Sequence, residues 1–244
     1  MPWSTLSARS VLCSQDSADD RKPLRVVRRR SGARSLLGTP VSSVTSASIT
    51  PWASRRTGSR DRIGVVWLDA HGDFNTAASS PTGYLDGMAL AAAAGLEWRV
   101  AAATIPGFEP IEASNVVHLG GRDFDPGERE RLESAGVQAI APAAIEGASP
   151  DFGFLIELAG RVDAVYLHID LDVLDPSEGI ANGYAASGGM SASELTAVVE
   201  ACLARLPVRA AALTAYDPDY DTDGRVAVIA ARLIETIMRS MKAD

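Results

Sequence analysis

Two apolar segments of this chain each end in acidic residues spaced two apart, and this feature restricts the possible folds more than any other. The first segment, IGVVWLD at residues 63–69, is followed by AHGD. The second segment, AVYLHIDLD at residues 164–172, is followed by VLDP. In an extended chain, side chains at positions i and i+2 point to the same face, about 7 Å apart. Each segment is therefore predicted to be a buried strand whose last polar side chains converge on one point.

Strand and helix patterns alternate from residue 61 to residue 244, which predicts an α/β fold with a central parallel sheet. Asp125 with Pro126, and Ser191 with Glu194, are capping signals for two of the helices. Ligand sites in such sheets form at the carboxyl ends of the strands, where both acidic clusters lie. The strand candidates are 63–69, 115–121, 164–172 and 209–217, and the helix candidates lie near 86–96, 126–135, 191–206 and 224–241.

Residues 1–60 differ in composition from the rest of the chain. They contain 11 Lys and Arg, 3 Asp and no Glu, and they are rich in Ser without a sustained period of 2 or 3.6. We predict that this segment is mostly disordered, or that it is a wrong-frame or mis-started translation. The second hypothesis rests on SVT at residues 43–45, whose codons can contain Gly and Asp codons in a neighbouring frame. The alternative is a genuine basic extension, and the other reading frames of the gene would decide between them.

The composition of the whole chain favours a cytoplasmic protein that acts on a small molecule. With 244 residues, 46% of them hydrophobic, the chain is long enough for one large α/β domain. The net charge of −8 argues against nucleic-acid binding, and no apolar run approaches the roughly 20 residues that span a membrane. Two distant cysteines, Cys13 and Cys202, provide neither a disulfide framework nor a metal motif.

The two acidic clusters predict a metal centre. Carboxylates held within several Å in a low-dielectric pocket repel one another, so they would protonate or separate unless cations lie between them. Two divalent ions would balance four carboxylates, and oxygen-rich ligation with some imidazole suits Mn(II). The alternative is that each cluster is only a strand-end cap or a pair of surface acids. The candidate metal ligands are Asp69, His71, Asp73, Asp170 and Asp172.

The motifs DAHGD and DLDVLDP resemble the two later metal motifs of the ureohydrolases, the family of arginase, agmatinase and formiminoglutamase. HLGGRDFDPGERERLESAGV and GGMSASEL resemble further segments of that family, so the resemblance covers about residues 61–244. It implies a three-layer arginase-like fold with a central parallel sheet, from which N-terminal strands could be missing. It also implies hydrolysis of a C–N bond in a linear amidine or guanidine, two Mn(II) ions per chain, and a homotrimer or homohexamer.

The resemblance also implies a role for each site residue. Asp69 and Asp170 would bridge both metals, and His71 and Asp172 would complete one of them. Asp73 would serve the other metal and take part in catalysis. The remaining candidates are Asp86 for proton transfer and Asn75, Thr82 and Asp125 for substrate binding.

Three positions depart from the family pattern. A further metal-binding histidine of the family falls near Ser46, and this sequence has no histidine before His71. Asp86 stands where arginases have a proton-shuttling histidine, although a carboxyl group can also transfer protons. Ala215 stands where arginases have the glutamate that holds the guanidinium. These departures predict a weakened second metal site and a substrate other than plain arginine.

Other interpretations stay open. Asp217 or Asp219 could replace the missing glutamate if the loop shifts. The chain could be a non-catalytic or degenerate member of the family that binds metal weakly. It could also be a deacetylase-like hydrolase with a single metal, held by Asp69, His71 and Asp170.

Two further histidines are predicted to support the structure rather than to bind metal. His168 shares a strand face with the second acidic cluster but lies farther from the strand end, which favours a hydrogen-bonded supporting role or a place in the core. His118, in VVHLGG, is likewise predicted to be packed inside the protein.

Overall fold

The computed structural model describes residues 11–14, 25–28, 62–104, 108–145 and 151–243, and the strands within these ranges form one sheet. The strands are β1 (Val11–Ser14), β2 (Arg25–Arg28), β3 (Ile63–Leu68), β4 (Val116–Leu119), β5 (Gln138–Ile140), β6 (Ala164–Asp170) and β7 (Val208–Thr214). Their order in the sheet is β2-β1-β7-β6-β3-β4-β5.

The strands β3 to β7 are parallel, which confirms the predicted α/β fold with a central parallel sheet. β3 lies between β4 and β6, and the three strands are buried along nearly their whole length, as expected for a sheet covered on both faces. β5 was not predicted, because it has only three residues and all of them are half-buried. β1 pairs antiparallel with β7, and β2 pairs antiparallel with β1.

The predicted helices are present, with some changed boundaries. The helices are α1 (Ala89–Ala93), α2 (Arg99–Ala102), α3 (Glu128–Ser134), α4 (Gly153–Ala159), α5 (Ala192–Arg205) and α6 (Arg225–Ala243). Ser191 and Glu194 form the predicted capping box at the start of α5. Asp125 does not cap α3, because Gly127 adopts a left-handed conformation with φ of 71° and becomes the residue before the helix. The helices α2 and α4 were not predicted.

Successive side chains of β3 enter different cores, so the sheet has helices on both faces. Val66 and Leu68 pack in a cluster that includes residues of α4, α5 and α6. Val65 and Trp67 pack in a second cluster that includes residues of α1 and α3. This arrangement is the three-layer architecture that the resemblance implied.

The predicted disorder or mistranslation of residues 1–60 falls mostly outside the described residues. β1 and β2 are the part of that segment that the structure describes. In the described ranges as a whole, no helix has the length and apolar character needed to cross a membrane.

Candidate metal centre

The two acidic clusters meet because β3 and β6 are neighbours in parallel register. Leu68 pairs with Ile169, so the next residues along the two strands, Asp69 and Asp170, lie side by side at the same edge of the sheet. A short 3-10 turn, Leu171–Val173, then carries Asp172 into the same region. The predicted convergence at the carboxyl ends of these strands is therefore observed.

Three of the five predicted metal ligands form one tight group. Asp69, His71 and Asp172 each offer a ligand atom, and these atoms lie within 4.8 Å of one another. His71 Nδ1 is 3.3 Å from Asp69 Oδ1 and 3.4 Å from Asp172 Oδ2. Two carboxylate oxygens and an imidazole nitrogen are a donor set that fits a divalent cation such as Mn(II).

Asp170 belongs to a second group of the same size, together with Asp69 and His168. The ring of His168 stacks on Trp67 with 3.8 Å between ring centroids. Its Nε2 lies 3.2 Å from the Thr214 hydroxyl, and its Nδ1 lies 3.5 Å from the Tyr166 hydroxyl. Because both ring nitrogens have polar neighbours, we keep the interpretation of His168 as a supporting residue.

Burial, repulsion between the carboxylates and their attraction to His71 together explain the pKa shifts of the first group. Burial, followed by the charge of Asp172, raises the pKa of Asp69 to about 6. Burial would lower the pKa of His71, but hydrogen bonds and charge from Asp172 and Asp69 outweigh it and raise this pKa to about 12. A divalent cation in this group would take the place of the His71 proton, because an imidazole binds a metal only in its neutral form.

The pKa values of Asp170 and Asp73 are raised for the same reasons. Burial, followed by the charges of Asp172 and Asp69, raises the pKa of Asp170 well above its usual range. Burial, followed by the charge of Asp69, does the same to the pKa of Asp73. Carboxylates that repel one another in one pocket favour cation binding.

Backbone and indole N–H groups orient the carboxylates. The amide of His71 donates to Asp69 Oδ1 at 2.8 Å, and the amide of Asp172 donates to Asp170 Oδ1 at 3.0 Å. Trp67 Nε1 donates to Asp69 Oδ2 at 3.1 Å. These bonds pre-arrange the oxygen atoms that would face a metal.

Asn182 is a residue of the site that the sequence analysis missed. Its Nδ2 donates to Asp172 Oδ2 at 3.1 Å and to the carbonyl of Ala215 at 3.0 Å. Its Oδ1 accepts from the amide of Tyr184 at 2.7 Å. Its position in a loop of small residues gave no periodic or motif signal.

Arg122 was also missed, although an arginine directly after the GG pair at the end of β4 was an available signal. Its half-buried guanidinium donates to the carbonyls of Asp172 at 2.9 Å, Leu174 at 3.1 Å and Ala186 at 2.7 Å. The guanidinium therefore holds the turn that carries Asp172 against the loop at Ala186.

The predicted catalytic residues lie beside this centre. Asp73 is half-buried, has a left-handed backbone with φ of 50°, and does not belong to either tight group of described ligands. Asp86 begins a 3-10 turn, and its charge contributes to the raised pKa of Asp73. The two side chains are thus electrostatic neighbours.

Two of the three predicted substrate-binding residues are in contact. Asn75 is buried, and its Nδ2 donates to Asp125 Oδ2 at 2.8 Å. Asn75 Oδ1 accepts from Arg131 and from the Ser79 hydroxyl, the latter at 3.1 Å. Thr82 is exposed, and its hydroxyl accepts from the amide of Tyr84 at 3.2 Å. Asn75 and Asp125 therefore form one polar cluster, and no hydrogen bond among the described residues links Thr82 to it.

The position of the missing glutamate is occupied by a strained alanine. Ala215 has a φ of 58°, a left-handed conformation that non-glycine residues seldom adopt. The carboxylate of Asp217 accepts from the amide of Asp219 at 3.0 Å, so it closes the exposed turn that follows. The position near Ser46, where the family has a further histidine, lies outside the described residues.

Comparisons with known proteins agree with this geometry. A family model described as the arginase family matches residues 42–239. The arginase of Bacillus subtilis strain 168 is 30% identical over 181 residues, which are 73% of this chain and 61% of that protein. The N(omega)-hydroxy-L-arginine amidinohydrolase of Streptomyces lavendulae is 39% identical over 137 residues, 56% of this chain and 45% of that protein. The match thus spans less than two thirds of each relative.

The similarity extends to solved structures. The native structure of Bacillus caldovelox arginase superposes with a TM-score of 0.70 at 29% identity, covering 81% of this chain and 66% of that one. The family match includes both acidic clusters, the segment between them and every residue of the metal and catalytic predictions. The resemblance inferred from the motifs is therefore confirmed, and the chain belongs to the arginase family.

Proposed function

We propose that this protein hydrolyses a C–N bond of a linear amidine or guanidine in a metal-dependent reaction, with a substrate other than plain arginine. The observation that carries this proposal is the convergence of Asp69, His71 and Asp172, from two neighbouring strand ends, within 4.8 Å. Relatives named as an arginase and as an N(omega)-hydroxy-L-arginine amidinohydrolase support the reaction class.

The proposed metals are two Mn(II) ions, one of them weakly bound. Asp69 and Asp170 would contact both ions, His71 and Asp172 would complete the stronger site, and Asp73 would serve the weaker one. When bound, the cations would supply Lewis acidity that lowers the pKa of water and polarises the amidine carbon. The weaker site has carboxylates but no histidine assigned to it, so we expect it to fill only at high metal concentration.

The side chains around the metal ligands have proposed roles of their own. Asp86, next to Asp73, would deliver a proton to the departing amine. Asn75, Thr82 and Asp125 would hold polar groups at the far end of the substrate. The hydrogen bond between Asn75 and Asp125 supports this assignment, because it pre-organises two polar groups in one place.

Ala215 supports a substrate other than plain arginine. An alanine cannot neutralise a guanidinium, and an unpaired buried cation costs several kcal/mol. In the turn that follows, Asp217 Oδ1 accepts from the amide of Asp219 at 3.0 Å, so this oxygen already has a partner within the turn.

The test is product release at saturating Mn(II) from arginine, agmatine, guanidinobutyrate and formiminoglutamate. Urea would be measured for the first three compounds and formamide for the fourth. We expect slow turnover that rises with added Mn(II), and a compound other than arginine as the best substrate. Fast arginine hydrolysis without added metal would contradict the proposal. No turnover of any compound would favour a non-catalytic family member.

A single-metal hydrolase is the second candidate. The sequence suggested Asp69, His71 and Asp170 as its ligands, but the three donors that lie together are Asp69, His71 and Asp172. Metal content distinguishes the candidates. About two Mn per chain would support the binuclear enzyme, about one would support the single-metal hydrolase, and none would support a non-catalytic protein.

Oligomeric state and location are further proposals from the family resemblance. We expect a homotrimer or homohexamer in the cytoplasm, acting on a small molecule and not on nucleic acid or membranes. Light scattering of the purified full chain would measure the assembly, and a monomer at micromolar concentration would contradict it.

A further inference from the structure

Two tyrosines form an aromatic wall beside the metal centre. The ring of Tyr184 lies perpendicular to that of His71, with 6.4 Å between centroids and an interplanar angle of 90°. The ring of Tyr84 lies 5.6 Å from the ring of Tyr184 at an angle of 32°. Tyr184 is 58% exposed and Tyr84 is half-buried, so the pair lies at the mouth of the site. An aromatic side chain exposed in this way next to metal-ligand candidates is available to a ligand.

The position of Tyr184 is coupled to the metal centre. The amide of Tyr184 donates to Asn182 Oδ1, and Asn182 Nδ2 donates to Asp172 Oδ2. The same Nδ2 donates to the carbonyl of Ala215. The buried side-chain amide of Asn182 therefore links three parts of the site. These parts are Asp172, Tyr184 of the aromatic wall, and Ala215, where the glutamate is missing.

An amidinium or guanidinium group is flat and cationic. When it is bound beside Ala215, its charge needs an attractive partner in the protein. Ala215 offers no charge. The face of an aromatic ring attracts a cation through its quadrupole, and a flat delocalised cation can also stack on it. The aromatic wall can thus replace a carboxylate without adding charge to an acidic site.

We propose that the faces of Tyr84 and Tyr184 bind the cationic head group of the amidine substrate, in the role that a carboxylate would otherwise have. This proposal rests on the proposed function and adds a means of substrate selection. A ring face tolerates substituents on the head-group nitrogen better than a bidentate carboxylate, because it needs no fixed pair of N–H donors. The protein should therefore accept N-substituted guanidines.

The test compares a charged ligand with its neutral isostere on the Mn-loaded full-length protein. Calorimetry would measure the dissociation constants of 4-guanidinobutyrate and 4-ureidobutyrate for the wild type, Tyr184→Leu and Tyr184→Phe. We expect Tyr184→Leu to raise the dissociation constant of the guanidine roughly 3- to 30-fold and that of the urea much less. Tyr184→Phe, which keeps the ring face, should recover most of the loss. In turnover assays Tyr184→Leu should raise KM more than it lowers kcat.

Two more variants keep the test decisive. If Tyr184→Leu loses its metal, Tyr84→Leu is measured instead. We expect it also to raise the dissociation constant of the guanidine. Asp123→Asn tests the rival partner, since Asp123 Oδ2 lies 3.9 Å from His71 Nε2. A loss of guanidine binding in Asp123→Asn but not in the tyrosine variants would overturn the proposal. Equal effects of Tyr184→Leu on the charged and the neutral ligand would also overturn it.

Failure of the proposed function would look different. A wild type that prefers the guanidine to the urea, loses this preference in Tyr184→Leu, and hydrolyses nothing would refute the hydrolase and support the aromatic site. Turnover with no dependence of KM on Tyr184 would refute the aromatic site and support the hydrolase. Binding of neither ligand by the metal-loaded protein would refute both.

Discussion

The strand-end side of the site and its loop side differ in how their side chains are held. On the strand-end side, Asp69 and Asp172 are 1% and 3% exposed. Each has a carboxylate oxygen that accepts a hydrogen bond from a backbone amide, which orients the carboxylate. On the loop side, Tyr184 is 58% exposed and is held through the single side chain of Asn182. The buried side carries Asp69 and Asp172, two of the candidate metal ligands, and the loop side carries two of the departures from the family pattern, the half-buried Asp86 and Ala215.

This difference shows where such a fold can change. A ligand carboxylate at a buried strand end depends on the register of two strands, and a change there disturbs the sheet. A residue on a connecting loop can change without that cost, which is why substrate preference resides on loops above a rigid scaffold. The substrate of this protein can therefore differ from arginine while the carboxylates at the strand ends stay in place.

The largest effect should follow from removing a carboxylate that is proposed to bind both metals. Asp170→Ala should abolish Mn binding more completely than Asp73→Ala, because Asp170 would contact both ions and Asp73 only one. Bound Mn per chain, measured after dialysis against a fixed free Mn(II) concentration, checks this. Equal residual metal in the two variants would contradict the bridging role and weaken the contrast between the two sides.

A smaller effect should follow from cutting the connection between the two sides at Arg122. Arg122→Met keeps the length of the side chain but leaves several carbonyls without their donor, so we expect the free energy of unfolding to fall by about 2–4 kcal/mol. Urea denaturation measures this. Arg225→Met is the matched control, since Arg225 is an exposed arginine that also donates to a backbone carbonyl, that of Ser177 at 2.8 Å. If both variants lose the same free energy of unfolding, Arg122 stabilises the fold no more than an exposed arginine does.

The smallest effect should come from Asp175, on the exposed loop that leads to Gly188. Its carboxylate accepts from the amides of Ser177, Gly188 and Gly189, and the Ser177 hydrogen bonds are the main cause that lowers its pKa to about 2. The folded-state pKa is below the ordinary value of 3.8, so the stabilisation is present above about pH 4 and is lost as the pH falls toward about 2. Because Asp175 is only half-buried and solvent screens its charge, we expect Asp175→Asn to lower the Tm at pH 7 by only about 1–2 °C.

The pH dependence is the check on Asp175. The difference in Tm between wild type and Asp175→Asn should shrink as the pH is lowered from 5 to 3, since the unfolded chain is protonated at Asp175 near pH 4 while the folded chain keeps the charge to about pH 2. A difference that stays constant over this range would show that the carboxylate charge contributes nothing to the stability of this loop.

The parallel sheet and the place of the candidate metal centre follow from the amino-acid sequence alone. Apolar runs ending in alternate acids specify buried strands, and parallel strands bring their carboxyl ends to one edge, so the motifs themselves group Asp69, His71 and Asp172. The capping box of Ser191 and Glu194 is equally local and was confirmed. Gly127 shows the limit of such local signals, because its left-handed conformation displaced the helix start predicted at Asp125.

The residues that brace and surround that centre are set by tertiary contacts. Arg122, Asn182 and the pair of Tyr84 and Tyr184 come from different loops, and no spacing within one segment reveals a contact between loops. His168 lies within reach of Asp69 because β6 and β3 pair in one register, and that register fixes the Trp67–His168 contact. The physical reason is range: periodicity and capping act within a few residues, whereas these contacts exist only after the strands have packed and brought distant loops together.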